Sequence, residues 1–201
     1  MAIEQPKFRV VAEYDQYEIR EYEPYVVAET RVSGDQRSAD NSGFGILAGY
    51  IFGKNKARPG VATVQRDGAE KISMTAPVIS TSPEDEGGYI YSFVMPSKYT
   101  LDTLPVPLDG RVSFREVPAR IVAAHRFSGR WQQRRFDKHV AILEEALRDD
   151  GVETIGEPML ARYNAPFVPG FMRRNEVMFE VVRLPLPREV ELAYEAGEPA
   201  R

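Results

Sequence analysis

Hydrophobic and polar positions alternate with period two through Tyr25–Val32, where Val26, Ala28, Thr30 and Val32 share one face. They alternate again through 89–95, where Tyr89, Tyr91, Phe93 and Met95 oppose Ile90, Ser92 and Val94. Both runs predict half-buried strands. Between them the period becomes helical: Phe44, Leu47, Ala48 and Ile51 fall at i, i+3, i+4 and i+7, after Asp40-Asn41-Ser42 as candidate N-caps and before Gly53. Further strands are predicted at 17–22 and 71–79. From residue 111 the series returns, with strands at 111–117 and Arg120–Phe127, a helix over 130–148, and strands at 159–163 and Asn175–Arg183. The second helix carries its stripe on Phe136, Val140, Leu143 and Leu147, with Ser128 as candidate cap and Gly151 as its stop.

The return is also literal. Residues 20–34 and 115–129, offset by 95, share Arg20/Arg115, Glu21/Glu116, Val27/Val122, Ala28/Ala123, Arg31/Arg126, Ser33/Ser128 and Gly34/Gly129. A second pair, offset by 89, sets Thr75-Ala76-Pro77-Val78 against Asn164-Ala165-Pro166-Phe167. Each unit reads as two strands, a helix and two strands. One such sheet cannot cover both its faces with a single helix, so the units must pack together. The expected fold is α+β: duplicated ββαββ units forming a distorted antiparallel β-barrel with two outer helices. One domain is expected over 14–183, with repeats at 14–96 and 111–183, followed by a mobile tail at 184–201.

Several motifs occur in an order that resembles the SOUL heme-binding proteins: Tyr50-Ile51-Phe52-Gly53-Lys54-Asn55, Lys71-Ile72-Ser73-Met74-Thr75-Ala76-Pro77-Val78, Phe93-Val94-Met95-Pro96, and Arg162-Tyr163-Asn164-Ala165-Pro166 ahead of Asn175-Glu176-Val177. The resemblance implies non-covalent binding of heme or another tetrapyrrole, as carrier, buffer or sensor. It puts the pocket between the first helix and the loop joining the last two strands. Carried over by position, Phe44, Leu47, Ala48 and Ile51 face Phe167, Val168, Phe171 and Met172. The sequence departs from the family pattern in a longer segment at 56–70, expected as a hairpin. It also lacks, within 35–42, the histidine proposed as axial ligand in some members. Binding without a fixed protein ligand to iron is therefore expected.

The loop is unusual on its own terms. Residues 166–174 are punctuated by Pro and Gly, yet they carry Phe167, Val168, Phe171 and Met172 and end in Arg173 and Arg174. Aromatic and thioether side chains suit a flat macrocycle, and an arginine suits its carboxylates. The loop is expected to act as a lid; the competing reading is that Phe167 and Phe171 plug the barrel. His125 shares a face with Ile121, Ala123 and Phe127, and is expected as a core histidine before an iron ligand. His139, on the flank of the second helix, is expected at the surface.

Composition narrows the chemistry. The 201 residues contain no Cys and two His, which excludes disulfides, thiolate metal sites, cysteine nucleophiles and three-histidine centres. With 26 Lys and Arg against 30 Asp and Glu, the net charge of −4 gives no footprint for nucleic acid. No run suits a secretory signal or a membrane span, so a cytoplasmic location is expected. A second reading is an enzyme, since the duplicated architecture is also similar to the GyrI-like small-molecule-binding domains, some of which hydrolyse reactive compounds. Its candidate residues are Glu176 and Glu180 on one strand face, with Glu116 and Tyr91. An inward carboxylate of this set would be raised in pKa by an apolar cleft; solvated carboxylates are the simpler expectation. A third reading is a protein-interaction module using the first helix and the apolar loop.

Overall fold

The computed structural model describes residues 3–58, 68–83 and 87–184. The tail after Leu184 and residues 59–67 of the expected hairpin lie outside the described residues. The elements run β1 (Phe8–Glu13), β2 (Glu18–Tyr22), β3 (Tyr25–Val32), α1 (Gln36–Ile51), β4 (Asn55–Lys56), β5 (Val78–Thr81), β6 (Tyr89–Val94), β7 (Val106–Pro107), β8 (Ser113–Val117), β9 (Arg120–Phe127), α2 (Gln133–Asp149), β10 (Glu153–Arg162) and β11 (Asn175–Arg183). The fold is thus α+β with two helices, as expected.

Nine strands form one antiparallel sheet in the order β1-β2-β9-β11-β10-β5-β6-β3-β8, and β4 pairs with β7 apart from it. Only Glu23 and Pro24 join β2 to β3, and only residues 118 and 119 join β8 to β9, although each pair stands six places apart in the sheet. Six spacings of ~4.8 Å in a flat sheet would put ~29 Å between strands that a two-residue link spans by at most about 10 Å. The sheet must therefore curl until its ends approach. It does not close: β1 and β8 are edges, and no ladder joins them. The expected barrel is corrected to an open, curled sheet.

Three apolar clusters follow from that shape. The inner face carries Val27, Val94, Val117, Val122, Ala124, Met159 and Met178. On the outer face of one half, α1 sets Leu47, Tyr50 and Ile51 against Ala28, Tyr91 and Phe93. On the other, α2 sets Leu143 and Leu147 against Ala123, Leu160, Val177 and Phe179. Both faces of the central strands are consequently buried. Among the described residues no helix is long and apolar enough to cross a membrane.

Local expectations need four corrections. The α1 helix starts at Gln36 and is capped by Asp35, whose carboxylate accepts the Ser38 amide at 3.2 Å and hydroxyl at 2.7 Å; Asp40-Asn41-Ser42 lie inside the helix. The α2 helix starts after Gln132 with no side-chain cap, so Ser128 has no capping role. Residues 71–77 are not a strand but an extended segment tied to the chain start by a bridge between Thr75 and Glu4. Finally, β1 escaped the pattern because it is an edge strand with exposed Val10 and Val11, which blur its alternation.

Candidate functional site

The surface formed by α1, the turn before α2 and the loop between β10 and β11 is built around Asp40. This residue, in the second turn of α1, accepts hydrogen bonds from the Tyr91 hydroxyl of β6 and the Trp131 indole, both at 2.7 Å, and pairs with Arg162 of β10 at 3.0 Å. The Arg162 guanidinium lies 5.8 Å from the Tyr91 ring centre and 5.9 Å from that of Trp131. One carboxylate thereby joins α1, both halves of the sheet and the approach to α2. The close fit depends on Gly43, where a Cβ would stand 2.3 Å from the Tyr91 ring. Burial, followed by the hydrogen bond to the Asp40 carboxylate, pushes the Tyr91 hydroxyl well above the usual phenol range, so it serves as a donor and not as a base.

Two residues before Trp131, the Gly129 amide donates to the Gly170 carbonyl at 2.9 Å, and the Asn175 side chain donates to the Gly129 carbonyl at 3.0 Å. Gly129 has φ +126°, and a Cβ there would collide with Arg135. These bonds hold the 164–174 loop beside Trp131. Residues 170–172 form a single 3-10 turn. On this anchored loop Phe167, Phe171 and Met172 are 88%, 80% and 63% exposed. On α1, Phe44 is also exposed, its ring edge resting on Phe93 at 5.3 Å.

The structure divides the residues named from sequence. Phe44, Phe167, Phe171 and Met172 offer apolar surface, and Ala48 and Val168 are half-buried. Leu47 and Ile51 are buried in the core beneath α1 and line no surface, because the helical stripe that looked like a pocket wall is the face packed on the sheet. The plug reading of Phe167 and Phe171 fails on their exposure. Arg173 is spent within the loop, donating to the carbonyls of Val168, at 2.7 Å, and Pro166. Arg174 is spent beneath it, on Glu176. The exposed cation next to the loop is Arg130, which packs on Gly170 and has no ion-pair partner among the described residues. Sequence reading took Asp40 only as a candidate N-cap and Arg162 only as part of a motif, and it passed over Arg130 and Trp131, whose only signal was position beside a helix start.

Glu176 is not solvated. It is fully buried on the inner face, where Arg20 of β2 donates to both its oxygens at 2.7 and 2.9 Å, Tyr163 at 2.7 Å and Arg174 at 2.8 Å. Burial pushes its carboxyl up, but the Arg20 guanidinium, the Tyr163 hydroxyl and Arg174 outweigh it and hold the group below the usual range. That is the reverse of the raised pKa a general base needs. Glu180 pairs with Arg120 at 3.2 Å, and Glu116 is exposed on β8.

His125 is buried on β9, with Nδ1 2.5 Å from the Gln16 carbonyl and Nε2 2.9 Å from Nδ1 of His139. Both its ring nitrogens are taken, so it fits a core role and not iron ligation. His139 is half-buried rather than at the surface, its ring stacked on Phe127 at 4.2 Å.

Residues 3–180 match the family model described as SOUL heme-binding protein. The chain belongs to that family. No curated protein matches the sequence. Among solved structures, this SOUL protein is similar to the C-terminal domain of EcmrR, with TM-score 0.61 and 14% identity over 84% of this chain and 98% of that one. EcmrR in its DNA complex gives 0.59 and 14%, over 83% and 57%. A hydrolase from Listeria innocua gives 0.55 and 12%, over 85% and 94%. At these identities the likeness is one of fold.

Proposed function

We propose that this SOUL protein binds heme or another tetrapyrrole non-covalently on the surface between α1 and the 164–174 loop. The observation that carries the reading is the exposure of Phe44, Phe167, Phe171 and Met172 on a loop and helix that Asp40, Trp131 and Gly129 hold together. Exposed aromatics this large on an anchored loop mark a binding surface. A tetrapyrrole supplies a flat apolar face and carboxylates when bound. Phe167 and Phe171 would cover the face, and Arg130 would meet a carboxylate. With both His125 nitrogens occupied, no residue is assigned to iron.

Titration of the purified protein with hemin, followed in the Soret band, tests the reading. Losing a buried core Phe costs ~3 to 5 kcal/mol of stability. Phe171 is 80% exposed, so Phe171→Ala should leave the melting temperature nearly unchanged while raising the hemin Kd. Arg130→Ala should raise it by roughly tenfold or more, the worth of one charge-assisted contact. Hemin affinity unaltered in both variants would remove the site from this surface.

We also infer that the two halves are copies of one unit that exchanged their first strands. Supporting this, the order β2-β9-β11-β10 on one side of the sheet is matched by β8-β3-β6-β5 on the other, with α1 and α2 in corresponding places. Superposition of 18–94 on 113–183 with unrelated strand paths would end the inference.

A further inference from the structure

A cleft of about 620 Å³ shares no lining residue with the surface described above. One of its walls is residues 4–7, pinned at both ends. At one end Ala76 donates its amide to the Glu4 carbonyl at 2.9 Å and Ser97 donates to the Glu4 carboxylate at 2.7 Å; at the other Glu23 donates to the Lys7 carbonyl at 3.0 Å. Tyr25 and Tyr99 form fixed aromatic walls. The Tyr25 hydroxyl accepts from Arg120 at 2.7 Å, and the Tyr99 hydroxyl donates to Glu70 at 2.5 Å. Val94, Met95 and Leu101 add apolar surface.

The volume lies within the ~300 to 1,000 Å³ of small-molecule sites. Its charge sets the occupant. Four carboxylates line the cleft, those of Glu4, Glu23, Asp102 and Glu116, against the single ammonium of Lys7. Among the described residues Glu23, Asp102 and Glu116 have no ion-pair partner. A tetrapyrrole, itself a carboxylate, is opposed here by charge.

We propose that this cleft binds a compact organic cation: an aromatic or aliphatic body against Tyr25, Val94 and Met95, with its ammonium toward Glu23 and Glu116. The site is separate from the tetrapyrrole surface and of opposite ligand charge. The test is an amide-resolved NMR titration of the full chain with three probes of one body, 4-phenylbutylamine, 4-phenyl-1-butanol and 4-phenylbutyrate. The amine should saturate shifts at 23–26 and 94–102, the alcohol should bind roughly tenfold more weakly, and the carboxylate should bind least. Glu23→Gln with Glu116→Gln should weaken the amine by roughly tenfold, leave the alcohol unchanged and leave hemin affinity unchanged. Equal affinity for all three probes, shifts confined to other regions, no shifts with the amine up to ~10 mM, or an amine affinity unaltered by the double variant would each overturn the proposal.

Discussion

At the scale of single residues, the inner face holds a charge cluster that an alternation pattern cannot reveal. Glu176 alternates with Val177 and reads as the polar side of a half-solvated strand. That reading assumes one face of the sheet meets water, and curling removes the assumption. Partners for Glu176 come from positions 20, 163 and 174, brought together by topology and not by spacing. Arg20 is itself 2% exposed, shared among Glu176, Glu18 and the Tyr22 hydroxyl, with its guanidinium 4.6 Å from the Phe8 ring centre. Removing one member of a buried pair leaves an uncompensated charge and costs about 3 to 5 kcal/mol. Arg20→Met should lower stability by that amount in denaturant unfolding, whereas Arg9→Met, which removes an exposed pair with Glu21, should cost under about 1 kcal/mol. Equal small losses would show that the cluster contributes nothing beyond its packing.

Among the elements, what was legible is what periodicity encodes. The strands β3, β6 and β9 and the stripe of α2 stand where the pattern puts them, because each has one clearly apolar face. The failures have physical causes: β1 is an exposed edge, and residues 71–77 are apolar for packing and not for pairing. The polar contact between α2 and β9 was hidden because the two histidines that make it are 14 residues apart and look unrelated. It has a pH signature. Burial first, then His125, Lys138 and Arg135, hold the His139 imidazole below its ordinary value. The unfolded chain titrates near ~6.5, so between that value and the lower folded one the unfolded state binds more protons. Stability contributed by the neutral ring is complete above about pH 6.5 and is lost as pH falls through the folded value. The melting temperature should therefore decline as pH is lowered from about 8 to 5, and His139→Phe should flatten the decline by removing the titrating group. An identical decline in the variant would assign the acid sensitivity elsewhere.

For the whole molecule, the sequence pattern foretold two helices and eight of the strands in their order along the chain, but not β1, β4 or β7, that the sheet stays open, or that β2 and β8 each lie in the other half. Those features depend on which strands pair, and alternation carries no pairing partner. The candidate site was half legible for the same reason. The loop was conspicuous by composition, and its anchoring to Gly129, two residues before the Trp131 that Asp40 binds, was visible only once the halves were assembled. The central claim is that tetrapyrrole binds on the face shared by α1 and that loop. It is tested most directly by following amide resonances of the full chain during titration with zinc protoporphyrin, a diamagnetic heme analogue. The account predicts saturable shifts concentrated at Gln36–Ile51, 128–131 and 164–174, with residues 4–7 and 96–102 unmoved. Shifts centred on the inner-face residues around Glu176 or on the Tyr25 and Tyr99 cleft, or none at saturating ligand, would contradict it.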